Sequence, residues 1–294
     1  MFYRKELKRL LLGRDNILYL GVIILVSFFI FSHTREVQLS FIDELSRPET
    51  YLTHQQIQQL VDGFSWQSYL LDYFYSDKIP LLACLFLACF GIKLADGFVK
   101  HWDSGWGNQL RARLTAKRYI GHQLLTQASY ILLFNLVSFS LVLVFIFCLF
   151  GAPNEGVPLI TASSIVKSFL GIPLNNTGMY LVYYYSNVVW FSSYLIFLVW
   201  IASFVGYLCK NKVMAKLFPL GCYFITFLIG SSIGNVSNFF ADLTNCFIGD
   251  QYIWGLSLLS DSFFPYALVQ IIVLLGSLVI LYRVVSQRME NEYV

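Results

Sequence analysis

The sequence predicts an all-α integral membrane protein with six transmembrane helices and both termini in the cytoplasm. Three observations carry that expectation. Hydrophobic residues make up 57% of the 294 positions, charged residues only 13%, and the mean hydropathy of +0.64 is too high for a water-surrounded globule of this length. Runs such as "ILYLGVIILVSFFIFS" are apolar all round instead of alternating, which selects helices over barrel strands. The basic residues then cluster in alternate connections, which sets the orientation.

Residues 1–14 come first. On a helical wheel "MFYRKELKRLLL" places Tyr3, Leu7, Leu10 and Leu11 on one side and Arg4, Lys5, Lys8 and Arg9 on the other. That pattern predicts an interfacial helix with its basic face toward anionic membrane lipid; a plain basic tail that only sets topology is the alternative. The first span, 15–32, is long and Phe-rich with no small-residue cleavage site, so it reads as a retained helix and not a signal peptide. An outer loop of about 47 residues follows (33–79). Within it Ile57, Leu60, Val61 and Phe64 recur at helical spacing, as in a short helix covering the bundle.

The second span, 80–99, carries Lys93 and Asp96 three residues apart on one helical face. Mutual pairing or snorkelling is the favoured reading, and a coupling pair that passes motion into the bundle is the sharper one. Span three, 124–150, contains Asn135, expected to hydrogen-bond a neighbouring helix. Spans 181–208, 217–234 and 264–285 complete the set, with Tyr183, Tyr184 and Tyr185 suited to an outer aromatic belt.

Five Lys and Arg residues precede span one, five lie in 100–123 and three in 209–216, with Arg283 and Arg288 near the C-terminus. The alternate connections hold only Arg35, Arg47, Lys78 and Lys167. The basic set is therefore predicted to be cytoplasmic.

Chemistry-bearing motifs are scarce. There is no G-x-x-x-x-G-K-[ST] phosphate loop and no H-E-x-x-H. "GSSIG" at 230–234 fits G-x-S-x-G with Ser232 as nucleophile, but His33, His54, His101 and His122 all fall in loops or at span edges. Close helix packing explains those small residues more simply. Cys84, Cys89, Cys148, Cys209, Cys222 and Cys246 form no CxxC. They read as small core residues, with an outer Cys148 to Cys246 disulfide as the alternative. No catalytic residue, metal site or cofactor site is expected.

The connection after span two is unusual. In "HWDSGWGNQLRARLTAKR", residues 101–118, Trp102, Trp106, Leu110 and Leu114 are four apart, with Arg111, Lys117 and Arg118 beside them. Gly105 and Gly107 predict a turn, and a short helix is expected from about Asn108. Membrane anchoring accounts for the tryptophans alone. A structured piece with Trp and Arg side chains also suits a protein docking surface.

A basic amphipathic helix before span one, then an acid, a glycine, a short helix and an Arg between spans two and three, resembles the membrane subunit of a type-2 ABC exporter. The matching residues are Asp103, Gly105 or Gly107, Arg113 and Arg118. Many members have Glu where Asp103 stands and Gly-Thr where this chain reads Gly-Trp-Gly. The resemblance implies that 101–118 is a coupling segment seated in a separate cytoplasmic ABC ATPase subunit, with Trp102, Asp103, Gly105, Trp106, Arg111 and Arg113 as contacts. It further implies a second permease copy or paralogue, ATP and Mg on the ATPase subunit and none in this chain, and a bacterial plasma membrane. No nucleic acid is expected as partner. The apolar sequence suits export of a peptide, lipid or drug-like cargo. Two other classes are weighed against it: a non-transporting membrane sensor or immunity protein, and an intramembrane serine hydrolase using Ser232.

Overall fold

A computed structural model describes residues 2–45, 53, 70, 79–103, 115–150, 168–169, 172–173, 177–233 and 264–291. Among the described residues the fold is helical apart from one minimal antiparallel pair, β1 (Ser168–Phe169) with β2 (Ile172–Pro173). A short helix α1 (Phe2–Leu11) leads through a tight turn into α2 (Asp15–Leu45). The second predicted span is composite: α3 (Ile79–Phe90), a π turn (Gly91–Ala95) and α4 (Gly97–Asp103). Then come α5 (Ala116–Phe150), α6 (Thr177–Cys209), α7 (Lys212–Ile233) and α8 (Phe264–Asn291).

Among the described residues four stretches are long and apolar enough to cross a membrane: Asp15–His33, Leu82–Lys100, Ala116–Cys148 and Gly178–Cys209. Helices α7 and α8 overlap the fifth and sixth predicted intervals. Helix boundaries differ from the sequence expectation mainly where polar residues continue a helix beyond the apolar run. Thus α2 extends twelve residues past His33, to Leu45, and α5 begins at Ala116 and not near 124. Apolar content marks where lipid can be, whereas propensity and packing decide where the helix stops.

The hub is α6, which packs against α3, the π turn, α4, α5, α7 and α8. By contrast α2 is peripheral: 28% of its apolar window is buried, against 56% for α6 and 61% for the second span. Its exposed Ile17, Leu18, Leu25, Phe28 and Phe29 are suited to hydrocarbon, where an outward apolar side chain costs nothing.

Aromatic rings fill the middle of the bundle. Phe86 of α3 stacks on Phe139 of α5 at 5.9 Å between centroids and meets Phe191 of α6 edge-on at 5.5 Å. A lower layer joins Phe98 of α4 to Phe204 of α6 and Tyr119 of α5. Lipid tails are as apolar as these side chains, so the stabilisation comes from close packing and ring geometry, about 0.5–1.5 kcal/mol per pair.

The connection from α6 to α7 is two residues long. Lys210 ends α6 with φ 53°, the left-handed region that favours glycine. Asn211 then caps α7, its Oδ1 accepting from the backbone N–H of Val213 at 2.9 Å and Met214 at 3.2 Å. This tight turn allows α6 and α7 to run antiparallel in contact. A Cβ at Gly206 would lie 2.3 Å from that of Ala215, so the backbones approach as closely as small residues permit.

Candidate functional site

The helical connections bring the charge to one end. Helix α1, the α4 and α5 ends, the α6–α7 turn and the C-terminal part of α8 meet there, carrying most of the described Lys and Arg residues, from Arg4 to Arg288. Interhelical contacts tie the end together: Lys117 pairs with Glu290 at 3.3 Å, and Arg288 donates to the Leu208 carbonyl at 3.2 Å.

At the centre lies the π turn. A π turn widens one helical turn by a residue and is frequent at functional places. Small residues seat it: Ala95 meets Ala202 of α6 and Ala215 of α7, and a Cβ at Gly91 would lie 2.5 Å from the Lys216 carbonyl oxygen. The carbonyl of Leu94 accepts from Gln127 Nε2 of α5 at 3.0 Å, and the same nitrogen donates to Ser203 Oγ of α6 at 3.0 Å. One amide thereby links three helices at the wide turn.

The wider turn separates Lys93 from Asp96, so of the two favoured readings, mutual pairing and snorkelling, the pairing is not what these residues adopt. In a regular α-helix the two would share a face; across the π turn they point to different partners. Lys93 Nζ donates to Asn16 Oδ1 and lies 4.9 Å from the centre of the Tyr130 ring. Asp96, 1% exposed, lies between Lys100 Nζ at 2.9 Å and Lys216 Nζ at 3.3 Å. Neither ammonium is aligned as a hydrogen bond, so charge holds the carboxylate in place.

Asn16 is the second junction. Its Oδ1 accepts from Lys93 and from Tyr130 OH at 2.6 Å, while its Nδ2 donates to the carbonyls of Leu10 at 2.8 Å and Leu11 at 2.7 Å. The C-terminus of α1 is thereby bound to α2, the π turn and α5 through one side chain. On α1 itself, Leu7 and Leu10 pack on the core while Arg4, Lys5, Lys8 and Arg9 stay exposed. Leu7 and Leu10 follow the amphipathic division the sequence implies, whereas Leu11, expected on the apolar side, is exposed.

No family model, curated protein or solved structure matches the chain. Trp102 and Asp103 lie on the backbone of α4, which carries the second span beyond its apolar part. Gly105, Trp106, Arg111 and Arg113 fall outside the described residues, as do Cys246 and the Ile57 to Phe64 pattern. Ser232 is in the last turn of α7, and its side chain is also outside them. Among the described residues no group of three His, Cys, Asp or Glu could hold a metal ion.

Asn135 bonds Ser192 of α6 at 2.9 Å, the helix-to-helix role expected of it. Asn16, Gln127, Tyr130 and Lys216 are not among the residues the sequence singles out, although a polar group inside an apolar run is a usable signal. Lys216 counted only toward orientation, because nothing local reveals that it reaches Asp96 on another helix.

Proposed function

We propose that this chain is the permease subunit of an ATP-driven exporter, with its basic end in the cytoplasm and α7 and α8 as its fifth and sixth spans. A separate ABC ATPase subunit grips residues 101–118. Movement there is transmitted along α4 to the π turn, and from it to α7 through Asp96–Lys216 and to α1 and α2 through Lys93–Asn16. The observation that carries this reading is the composite second span, a helix continued past the apolar region and tied to four neighbours at one wide turn. Such a joint can change its hydrogen-bond register without unfolding the helix.

The cargo class is hydrophobic or amphipathic, since the bundle interior offers aromatic surface with few charges. A second permease copy or a paralogue completes the pathway. The test is co-expression with an ABC ATPase and measurement of cargo-stimulated ATP turnover in proteoliposomes. Substituting Trp106 and Arg113 should uncouple turnover from transport while the protein still folds. Retained coupling in that double variant contradicts the assignment of the docking residues, and failure to bind any such ATPase contradicts the reading itself.

A further inference from the structure

A cleft of about 790 Å³ opens between α5, α6 and α8 at the basic end, apart from the π-turn joint. Along α8 it runs from Leu275 to Glu290, about 22 Å at the helical rise of 1.5 Å per residue. Its composition is graded along that length. Leu275, Leu278 and Val279 line the cleft along the earlier part of α8, and Arg283, Ser286 and Gln287 line it toward the C-terminal part. Lys117 and Glu290 also border the polar end, but they pair with each other at 3.3 Å. Arg283 therefore supplies the cleft's one net charge, and it faces no acid in an ion pair among the described residues.

Ser286 is 3% exposed, and its Oγ has no hydrogen-bond partner. A buried hydroxyl without a partner costs free energy unless something else satisfies it. An apolar channel with a cation and a hydroxyl at its headgroup-level end matches one kind of molecule.

We propose that the cleft binds an anionic phospholipid of the leaflet on the basic side, acyl chain along Leu275 and Leu278, phosphate at Arg283 and Ser286. Charge complementarity selects the occupant: the cytoplasmic leaflet holds acidic lipid, and a Lys or Arg near its surface favours it. This inference rests on the proposed placement of α8 in the membrane with its basic end at the cytoplasmic leaflet, but not on the ATPase, so it can fail or stand independently of that partner.

Native mass spectrometry of the full-length purified protein, titrated separately with phosphatidylglycerol and phosphatidylcholine, tests it. Phosphatidylglycerol should be retained over phosphatidylcholine, and Arg283→Gln should reduce that preference about fivefold with the melting temperature unchanged. Leu275→Trp, at an exposed lining position, should lower retention of both lipids by filling the apolar end. Equal retention by the wild-type protein, or an undiminished preference in Arg283→Gln, overturns the proposal. So does a dimer that Leu275→Trp dissociates, because a second copy would then occupy the cleft.

Discussion

At the scale of single residues, Asp96 is the position where charge, burial and connectivity coincide. Its carboxylate is 1% exposed, while Lys100 and Lys216 keep 53% and 34% of their side chains in contact with the surroundings. Removing both ammonium groups strands a buried anion. Because those partners reach the surface, the expected cost of Lys100→Gln with Lys216→Gln is about 2 kcal/mol, below the 3–5 of a fully buried pair. Adding Asp96→Asn should restore most of the lost melting temperature in detergent, which separates charge from packing. Lys210 and Asn211 make a simpler pair of tests. Asn211→Ala removes the α7 cap and should destabilise by about 1 kcal/mol. Lys210→Gly relieves the φ of 53° and should raise stability by up to about 1 kcal/mol.

For the helices as elements, the decisive contacts are between backbones. Gly91 and Gly206 let the second span and α6 meet α7 with almost no side chain between them. Gly91→Ala places a methyl 2.5 Å from the Lys216 carbonyl, so α7 must move or the π turn must close. The expected loss is about 1–3 kcal/mol, read as lowered thermal stability in detergent. If the joint passes motion to α7, the same variant should also uncouple ATP turnover from transport. Asn16→Leu should free the C-terminus of α1 from the bundle by removing its four hydrogen bonds. Faster proteolysis after α1 with an intact remainder is the expected result, and unchanged cleavage would show that apolar packing of Leu7 and Leu10 holds α1 alone.

Across the whole molecule, the helical class and four membrane-length segments were legible because lipid demands long uniform apolar runs. The amphipathic division of α1 was legible for a similar reason: one face meets core and the other does not. The π turn was not, since "GIKLADG" reads as ordinary helix and its extra residue is chosen by the packing of Ala95, Ala202 and Ala215. Nor was the Asp96–Lys216 link, which joins positions on two helices distant in sequence. The fold therefore explains why Lys93 and Asp96, adjacent on a sequence-drawn helix, serve separate junctions. The central claim remains that the second span ends in an arm held by a cytoplasmic ATPase. A photo-crosslinker placed at Trp106 in native membranes tests it most directly: the account predicts an adduct with an ATP-binding-cassette protein whose yield changes with ATP. Adducts to lipid alone, unaffected by nucleotide, would contradict it.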